Sequence, residues 1–399
     1  MTCNAPRSFA LLGILFVGCA HKTDHTQPLP NDAYIWQRRW SASLIDALHE
    51  SSSEICTWRI LAAEIDSHGK SLSMAVDREV LRRQGQPVIA VIRINPHAPL
   101  PATPELLTLI STWQQAGVPV RGIEIDYDSE TSGVARYRDF LHTLRRQLST
   151  GMQLSITALP TWLESPELSS LLSQVDESVL QVHSVMSPRK GLFDPTTADA
   201  WIRKWSAKSG TPFRVALPTY WSRVTWNAAG HVVAIESETP RYGTDAVSQE
   251  LFVDPSAVSS FVAALRKNSP PHLAGLAWFR LPTVDDERSW NTTTWHAVMH
   301  GQPVLQALPV VRIKSQITGV IDISLANTTT VASRFPSQIS ISPSQGCEFA
   351  DAMSPYSLDR QKDAWRFRLN QQELLHAGQE KLVGWVRCAG QEVQAHASF

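Results

Sequence analysis

Three carboxylates alternate along one short apolar segment, Gly122-Ile-Glu-Ile-Asp-Tyr-Asp128. If this segment is a strand, successive side chains point to opposite faces, so Glu124, Asp126 and Asp128 share one face. Three carboxylates in one column repel one another, which pushes their pKa values apart and raises at least one of them. Such a column can hold a proton donor and an anion at the same pH, which the hydrolysis of a glycosidic bond requires.

The segments around this column predict a (β/α)₈ barrel. Short apolar runs alternate with amphipathic stretches between residues 31 and 300, and this alternation is typical of βα units with a parallel sheet. The predicted strands are Tyr34–Arg38, Trp58–Glu64, Val88–Arg93, Gly122–Tyr127, Gln153–Ala158, Val179–His183, Phe213–Leu217 and Leu273–Arg280. A doubly wound open sheet is the alternative, but it usually carries a glycine-rich phosphate-binding turn, which this sequence lacks.

The periodicity changes near residue 302. Beyond it the helical pattern fades, and alternating segments predict a small β-sandwich. The predicted organisation is a lipoprotein signal peptide over 1–18, a lipidated N-terminus and tether over 19–31, the barrel over 32–301 and a β-rich domain over 302–399. Cys347 and Cys388 both lie in the last domain and could form a disulfide in an oxidising compartment.

The first twenty residues predict export. Arg7 is their single charge, and the apolar run from Phe9 to Val17 is too short to span a bilayer. The run leads to Val-Gly-Cys19-Ala20, which resembles a bacterial lipobox, so Cys19 is the predicted lipidation site. By the same resemblance, Ala20 directs the protein to the outer membrane, facing the periplasm, in a Gram-negative host. An ordinary cleaved signal or an uncleaved anchor is the alternative.

The composition argues against several classes of partner. Lys and Arg number 36 and Asp and Glu number 37, so the sequence predicts no basic nucleic-acid-binding face. No cysteine and histidine spacing matches a zinc site, and we predict no cofactor, although the carboxylate column could hold a divalent cation. The 14 Trp residues are either core residues or platforms that stack on sugar rings.

Polar residues end the other predicted strands too, where a purely structural barrel carries branched apolar ones. The catalytic candidates are therefore Glu64, Glu124, Asp126 and Asp128. The predicted substrate-binding residues are Trp36, Arg93, Gln181, His183, Tyr220, Trp278 and Arg280, and Ser155, Thr157 and Arg214 are also predicted to face the barrel axis. The arginines could instead neutralise the carboxylates in a buried network, Glu124 could be structural, and His183 and Trp278 could belong to the core.

Several of these segments together resemble a bacterial family known as domain of unknown function 3142. They are Tyr34-Ile-Trp-Gln-Arg38, Leu61-Ala-Ala-Glu64, Gly122-Ile-Glu-Ile-Asp-Tyr-Asp128, Leu154-Ser-Ile-Thr-Ala-Leu-Pro160, Gln181-Val-His183, Phe213-Arg-Val-Ala-Leu-Pro218 and Gly275-Leu-Ala-Trp-Phe-Arg-Leu281. The resemblance covers residues 33–300. It implies a shared architecture, while the family name implies no activity.

The fourth strand also resembles, more loosely, that of chitinase-type glycoside hydrolases of family 18, which reads Asp-Gly-x-Asp-x-Asp-x-Glu. In this frame Asp126 falls where that family has the Asp that orients the substrate's acetamido group, and Asp128 falls where it has the Glu general acid. Trp278 falls where it has the Trp floor on the eighth strand. Because Asp is one methylene shorter than Glu, another carboxylate, Glu64 or Glu130, could protonate the leaving group instead.

These observations predict a glycan-active lipoprotein of the cell envelope. Its barrel is expected to be glycoside-hydrolase-like, with the carboxylates at the end of the fourth strand. A lipoprotein that binds a glycan without cleaving it, and a purely structural envelope lipoprotein, are the alternatives. The predicted partners are a polysaccharide and, through Cys19, a membrane.

Overall fold

The computed structural model describes residues 29–183, 192–227, 229, 232–236, 247–251, 253–286, 288–304, 308–316, 319–329, 331–342, 347–361, 364–370, 373–388 and 393–399. The predicted signal peptide, the predicted lipidation site Cys19 and most of the predicted tether lie outside these residues. The described residues form two compact units. The first contains the chain up to Val182 with Thr196–Leu217 and Ala263–Leu281, and the second contains His183–Pro195, Pro218–Val262 and Pro282–Phe399.

Helices separate the eight predicted strands in the first three hundred residues, as the sequence predicts, and four further strands are present. The strands are β1 (Asn31–Ile35), β2 (Ile55–Ile65), β3 (Ser71–Ser73), β4 (Val88–Ile94), β5 (Val120–Tyr127), β6 (Gln153–Ala158), β7 (Glu177–Gln181), β8 (Phe213–Pro218), β9 (Ser222–Trp226), β10 (Val232–Glu236), β11 (Val247–Leu251) and β12 (Leu273–Phe279). The helices are α1 (Ala42–Ser51), α2 (Arg78–Gln84), α3 (Thr103–Gln115), α4 (Val134–Gln147), α5 (Leu168–Leu172), α6 (Pro195–Lys208), α7 (Pro255–Lys267) and α8 (Thr292–Met299).

The first unit contains a closed barrel of eight parallel strands. Its order is β1-β12-β8-β7-β6-β5-β4-β2, and β1 also pairs with β2, which closes the sheet. The short strand β3 lies antiparallel to the end of β2 and extends it as a hairpin. The prediction of a (β/α)₈ barrel is therefore confirmed.

The fourth barrel strand, β5, separates its two sets of side chains as the alternation predicts. Its apolar set faces the helices, because the Tyr127 ring packs 5.1 Å from the ring of Tyr137 on α4 and the Tyr137 hydroxyl donates to the Ile125 carbonyl. The acidic set therefore faces the barrel axis. Loops at the carboxyl ends of parallel barrel strands surround this axis, so the end of β5 lies in the region where such barrels bind ligands.

A bulge in β2 changes which of its residues face the axis. Opposite β4, the register shifts between Leu61 and Ala63. Arg59 and Glu64 are five positions apart and would face opposite sides of a regular strand, but the extra residue brings both onto the inner face. The bulge therefore places a cation deep in the barrel and a carboxylate at its mouth on a single strand.

The second unit contains a three-stranded antiparallel sheet and a β-sandwich. Strand β9 pairs with both β10 and β11 in the sheet. The strands of the C-terminal region are β13 (Val310–Ser315), β14 (Val320–Ala326), β15 (Ser333–Arg334), β16 (Gln338–Ser342), β17 (Cys347–Ala352), β18 (Tyr356–Gln361), β19 (Ala364–Leu369), β20 (Leu374–Leu375), β21 (Glu380–Cys388) and β22 (Gln394–Ser398). Eight of them form the sandwich, and β15 and β20 form a separate two-stranded sheet.

The sandwich buries one core between two four-stranded sheets, β13-β14-β21-β17 and β18-β19-β16-β22. Ile323 and Val386 from the first sheet and Ile339 and Phe367 from the second lie in the same buried cluster. A disulfide joins Cys347 on β17 to Cys388 on the neighbouring strand β21. None of the described helices is both long enough and apolar enough to cross a membrane.

Candidate active site at the barrel mouth

The carboxylates of β5 form a column that rises from the barrel interior to solvent. Glu124 is 0% exposed and Asp126 is 8% exposed, whereas Asp128, directly after the strand, is exposed. Because desolvation disfavours a charged carboxylate, the depth of each group decides what it can do chemically.

Glu124, the deepest of the three, is fully engaged by neighbouring side chains. The Tyr34 hydroxyl donates to its Oε1 at 2.6 Å and the Ser155 hydroxyl donates to its Oε2 at 2.8 Å, and Oε2 also accepts from Arg59. A carboxylate that accepts from three buried donors holds the barrel interior together and has no access to a ligand. The prediction that Glu124 is catalytic is therefore wrong.

The lower barrel contains a buried ion network of the kind that the sequence left open as an alternative, but its central cation, Arg59, was not among the predicted residues. Arg59 contacts Asp32 at 2.8 Å and also pairs with Glu124 and Glu177. Arg214 lies 3.0 Å from Asp32 and 2.9 Å from Glu177. Arg214 faces the axis as predicted, but its partners differ from those expected. The available signal was Arg59 itself, the single charge amid the apolar residues of β2 before Glu64.

Burial and charge oppose each other in this network. Burial raises the pKa of Asp32, although Arg214 and Arg59 act to lower it. Burial also acts to raise the pKa of Glu177, but the charges of Arg214 and Arg59 outweigh it and the pKa of Glu177 is lowered. Burial and the nearby charge of Glu124 raise the pKa of the Tyr34 hydroxyl. The network therefore has a structural role in the barrel below the mouth, where Arg59 and Arg214 hold the buried carboxylates in place.

Asp126, one step higher, is nearly buried but carries a much smaller set of partners. The Thr157 hydroxyl of β6 donates to its Oδ1 at 2.6 Å. Burial raises the pKa of Asp126 to about 7, with a further increase from the negative charge of Asp128, while the Thr157 hydrogen bond and the charge of Arg93 act to lower it. This carboxyl group therefore exchanges its proton near neutral pH, which is the range that acid–base catalysis uses.

Asp128 is the carboxylate that a ligand at the mouth would meet first. The residue is exposed, but the surrounding protein partly desolvates its carboxyl group, which raises its pKa, and the positive charge of Arg93 reduces this effect. Asp126 and Asp128 influence each other's protonation, so the pair titrates as one system. The pair therefore consists of a buried carboxyl group that can hold a proton near neutral pH and an exposed carboxyl group above it.

The raised pKa of Asp126 predicts that Asp126→Asn stabilises the fold in a pH-dependent way. The carboxyl group has a pKa of 3.8 in the unfolded chain and about 7 at position 126 in the folded protein. As pH rises between these two values, Asp126 lowers the free energy of unfolding, and the full loss is reached above pH 7. The shift corresponds to at most about 4 kcal/mol. We expect the variant's free energy of unfolding to exceed that of the wild type at pH 8 and to converge with it near pH 4.

Chemical denaturation at several pH values measures this difference. Asp46→Asn is the matched control, because Asp46 is exposed on α1 and its substitution should change stability by well under 1 kcal/mol at every pH. Equal stability of Asp126→Asn and wild type at pH 8 would contradict the raised pKa.

Charged and aromatic residues meet at the rim beside the pair. Glu64 accepts from the Arg38 Nε at 3.1 Å and from its Nη2 at 2.7 Å, and it lies 3.5 Å from Arg93. The Arg93 guanidinium lies 6.0 Å from the centroid of the Trp36 ring. Glu64 is thus placed to hold Arg93, and its role as a proton donor stays a prediction. The Arg93 side chain is 46% exposed, whereas Trp36 is buried in the interior cluster of the barrel, and substrate binding by either residue stays a prediction.

Trp278 does not lie at the mouth, which corrects its prediction as a sugar platform. It is fully buried, and its indole Nε1 donates to Asn31 Oδ1 at 3.0 Å. Its neighbour Ala277 lies in the interior cluster of the barrel, and Phe279 packs against that cluster, so Trp278 points outward towards the helices. The predicted alternation along this strand was shifted by one residue.

Phe279 occupies the inward position that the sequence analysis assigned to Trp278. Its ring is partly exposed and lies 4.9 Å from the ring of Trp36 and 5.4 Å from that of Tyr34. Arg280, predicted to bind substrate, is buried. Which side chains of this strand face the barrel axis is determined by its pairing with β1, where Ala33 lies opposite Trp278.

The remaining predicted residues divide between the two units. Gln181 is partly exposed at the end of β7 in the first unit. His183 and Tyr220 belong to the second unit, where their rings meet edge to face with centroids 6.1 Å apart. His183 is buried and Tyr220 is partly exposed. Their mutual packing is compatible with a binding role for Tyr220, while His183 supports its ring.

A pocket of about 390 Å³ opens beside the rim, and its lining includes Glu64, Arg93, Lys70 and Leu72. A pocket of this size is in the range that holds small ligands. In the part of the chain that the structure describes, no three or more His, Cys, Asp or Glu residues are arranged to hold a metal ion.

Comparisons with known proteins address the family and the fold. The family model named Domain of unknown function (DUF3142) matches residues 84–284, and the model named Domain of unknown function (DUF8456) matches residues 310–389. A search of curated proteins found no match.

Solved structures with a similar fold include spore cortex-lytic enzymes and chitinases. The spore cortex-lytic enzyme SleL of Bacillus megaterium QM B1551 is 11% identical, with a TM-score of 0.52, and 69% of this chain and 74% of that chain are covered. SleL of Bacillus cereus is 13% identical with a TM-score of 0.49 over 69% and 74%. The chitinase of Chromobacterium violaceum ATCC 12472 is 12% identical with a TM-score of 0.48 over 68% and 98%. At these identities the likeness concerns the fold alone.

Proposed function

Since the chain belongs to the family named Domain of unknown function (DUF3142), whose name states no activity, we propose its function from the site itself. The barrel is a glycoside-hydrolase-like domain that acts on a polysaccharide at its carboxyl-terminal mouth. The observation that carries this proposal is the Asp126 and Asp128 pair, in which a buried carboxyl group with a pKa of about 7 lies beneath an exposed one.

In this proposal Asp128 is the proton donor. It is the exposed member of the pair, so its carboxyl group is the one that reaches a glycosidic oxygen. As the bond between that oxygen and the anomeric carbon breaks, the proton passes to the oxygen of the leaving sugar. A water molecule adds to the anomeric carbon, and the proton that this water releases restores the protonated pair. The negative charge left on the pair is stabilised by Arg93, whose charge lowers the pKa of both carboxyl groups, and by the Thr157 hydroxyl.

Phe279 at the same mouth supplies the sugar platform. It is partly exposed, and the buried Trp36 packs edge to face against it and holds its ring in place. Aromatic rings offer a large apolar surface that suits the carbon–hydrogen face of a pyranose. Arg93 beside them donates hydrogen bonds that fit sugar hydroxyls. The platform replaces the one that the sequence analysis expected from Trp278.

A non-catalytic glycan-binding protein is the second candidate. The observation that favours it is the length of Asp128, because a carboxyl group one methylene short of Glu reaches less far from the strand and acid placement is sensitive to about an ångström. In that case the mouth would hold a polysaccharide, and the pair would accept hydrogen bonds from its hydroxyls.

One experiment separates the two functions. Wild type and Asp128→Asn are incubated with chitin oligosaccharides and with purified peptidoglycan, and both new reducing ends and bound protein are measured. Turnover by the wild type alone supports hydrolysis, and retention without turnover by either protein supports the binding function. Neither turnover nor retention would contradict both.

We further propose that the chain is an exported lipoprotein anchored at the outer membrane and facing the periplasm. The support is the apolar run that ends at Val-Gly-Cys19-Ala20. Labelled palmitate should enter the wild-type chain and not Cys19→Ser, and the wild type should fractionate with the outer membrane. Cys3→Ser, which changes a cysteine ahead of the predicted cleavage point, should label normally. Equal labelling of Cys19→Ser and wild type would contradict the anchor.

A further inference from the structure

The C-terminal sandwich has two outer faces of very different composition. On the sheet β18-β19-β16-β22, the described side chains that the central strands present outward are Gln338, Ser340, Ser342, Arg366 and Arg368. This is the composition of a face that is simply solvated. On the sheet β13-β14-β21-β17, the outer face exposes Phe349, which is 54% exposed, and Leu382, together with part of Trp385. The first face is polar and the second carries exposed apolar and aromatic side chains, and this difference within one domain indicates that the second face binds a ligand.

Strand register gives the arrangement of that second face, which we call the Trp385 face. Trp385 on β21 lies opposite Asp322 of β14 on one side and Asp351 of β17 on the other. One step along the sheet, Arg387 lies opposite Phe349. Residues that face each other in antiparallel pairs have neighbouring side chains on the same face. An indole therefore stands between two carboxylates, with a guanidinium and a second aromatic ring beside it.

This arrangement matches a sugar better than other ligands. A pyranose offers an apolar carbon–hydrogen face to an aromatic ring and a rim of hydroxyl groups that donate to carboxylates and accept from guanidinium. Nucleic acids and anionic lipids bind best to uniformly basic surfaces. They are disfavoured because this face carries both signs of charge, with Asp322 and Asp351 beside Arg387 and Lys314, which lies opposite Asp322. A protein partner is disfavoured too, since the centres of protein interfaces are depleted of charged residues, and here carboxylates flank the central ring.

We propose that the Trp385 face binds a polysaccharide and that the C-terminal domain holds the chain on its glycan. The site lies wholly within the second unit and requires no catalysis by the barrel. Trp385 stacks on one pyranose ring and Phe349 on another along the chain. Asp322, Asp351 and Arg387 bind the hydroxyl groups.

Binding isotherms of the full chain on insoluble chitin, cellulose and purified peptidoglycan test this proposal. Trp385→Ala should weaken retention on the preferred polysaccharide at least about tenfold, the size expected when a central aromatic anchor is removed. Trp385→Phe should retain most of the binding, because it keeps a platform. Phe399→Ala is the control, since Phe399 is 56% exposed, close to the 54% of Phe349, but follows β22 on the other sheet, and it should bind like the wild type.

A second variant protects the test against misfolding. Asp351→Asn changes one exposed side chain, so it should weaken retention with an unchanged melting temperature. Turnover of soluble oligosaccharides, measured in parallel, reports only on the barrel and should be the same in all these variants. Wild-type retention by both Trp385→Ala and Asp351→Asn, or a wild type that binds none of the three polysaccharides, would overturn the proposal whatever the turnover shows.

Discussion

Asp128→Asn should abolish turnover of the glycan substrate while the protein keeps its fold and still binds its ligand. The amide has the same shape as the carboxyl group but cannot deliver a proton to a glycosidic oxygen. Removal of a general acid costs a factor of about 10²–10⁴ in rate. Initial rates of reducing-end formation measure the loss, and ligand binding by calorimetry checks that the mouth is intact.

Two further variants decide whether Asp128 itself is the donor. Asp128→Glu adds the methylene that separates this chain from the chitinase-type pattern, and it should keep turnover. Glu130→Gln changes an exposed carboxylate two residues further on and should leave the rate within about twofold. If Glu130→Gln loses turnover and Asp128→Asn does not, the assignment of the donor is wrong.

The pH dependence of the rate should follow the same pair. Because burial and the charge of Asp128 raise the pKa of Asp126 to about 7, the pair holds a proton below this pH and loses it above. The rate should therefore decline above about pH 7 in wild type, with the donor form lost as pH rises.

The barrel itself could be predicted because its signal is local and repeated. Each strand is an apolar run bounded by amphipathic segments, and the composition of each run is enough to predict that it is a buried strand. All eight predicted strands exist, and Gln153–Ala158 has the predicted bounds. The column on β5 was predictable for the same reason, since alternation alone places Asp126 and Asp128 on one face.

The features that escaped prediction depend on partners far away in the chain. Trp278 was assigned to the wrong face because its phase is set by pairing with Ala33, almost 250 residues earlier. Glu64 faces inward together with Arg59 because of a bulge at Ala62. Alanine is not a residue type that predicts a bulge. The partners of Arg59 come from β1, β5 and β7, so only the closed barrel brings them together.

The buried network also explains why the mouth can carry an Asp with a raised pKa. A carboxyl group held near neutrality costs stability above its unfolded pKa, so the elements that carry it must be fixed by other interactions. Glu124 on the same strand is held by Tyr34, Ser155 and Arg59. The lower half of the barrel thereby fixes β5 in place, and the upper half of the same strand carries the chemistry.

Arg59→Met should strongly destabilise the first unit. Arg59 is 0% exposed and pairs with three carboxylates, and Met fills a similar volume without charge. Removing one partner from a buried ion network typically costs about 3–5 kcal/mol, because the remaining charges stay buried without compensation. Arg82→Met is the control, since Arg82 forms an exposed pair with Glu79 on α2, and its free energy of unfolding should stay close to that of the wild type because surface ion pairs contribute little.

The size of the Arg59→Met effect should depend on pH and on Glu124. At low pH the carboxylates that have lost Arg59 can take up protons, so the loss in the free energy of unfolding should be smaller at pH 5 than at pH 8. Adding Glu124→Gln to Arg59→Met removes one buried, uncompensated charge and should recover part of the loss. Denaturant unfolding at both pH values measures these differences, and a loss below 1 kcal/mol at pH 8 would show that the network does not hold the barrel together.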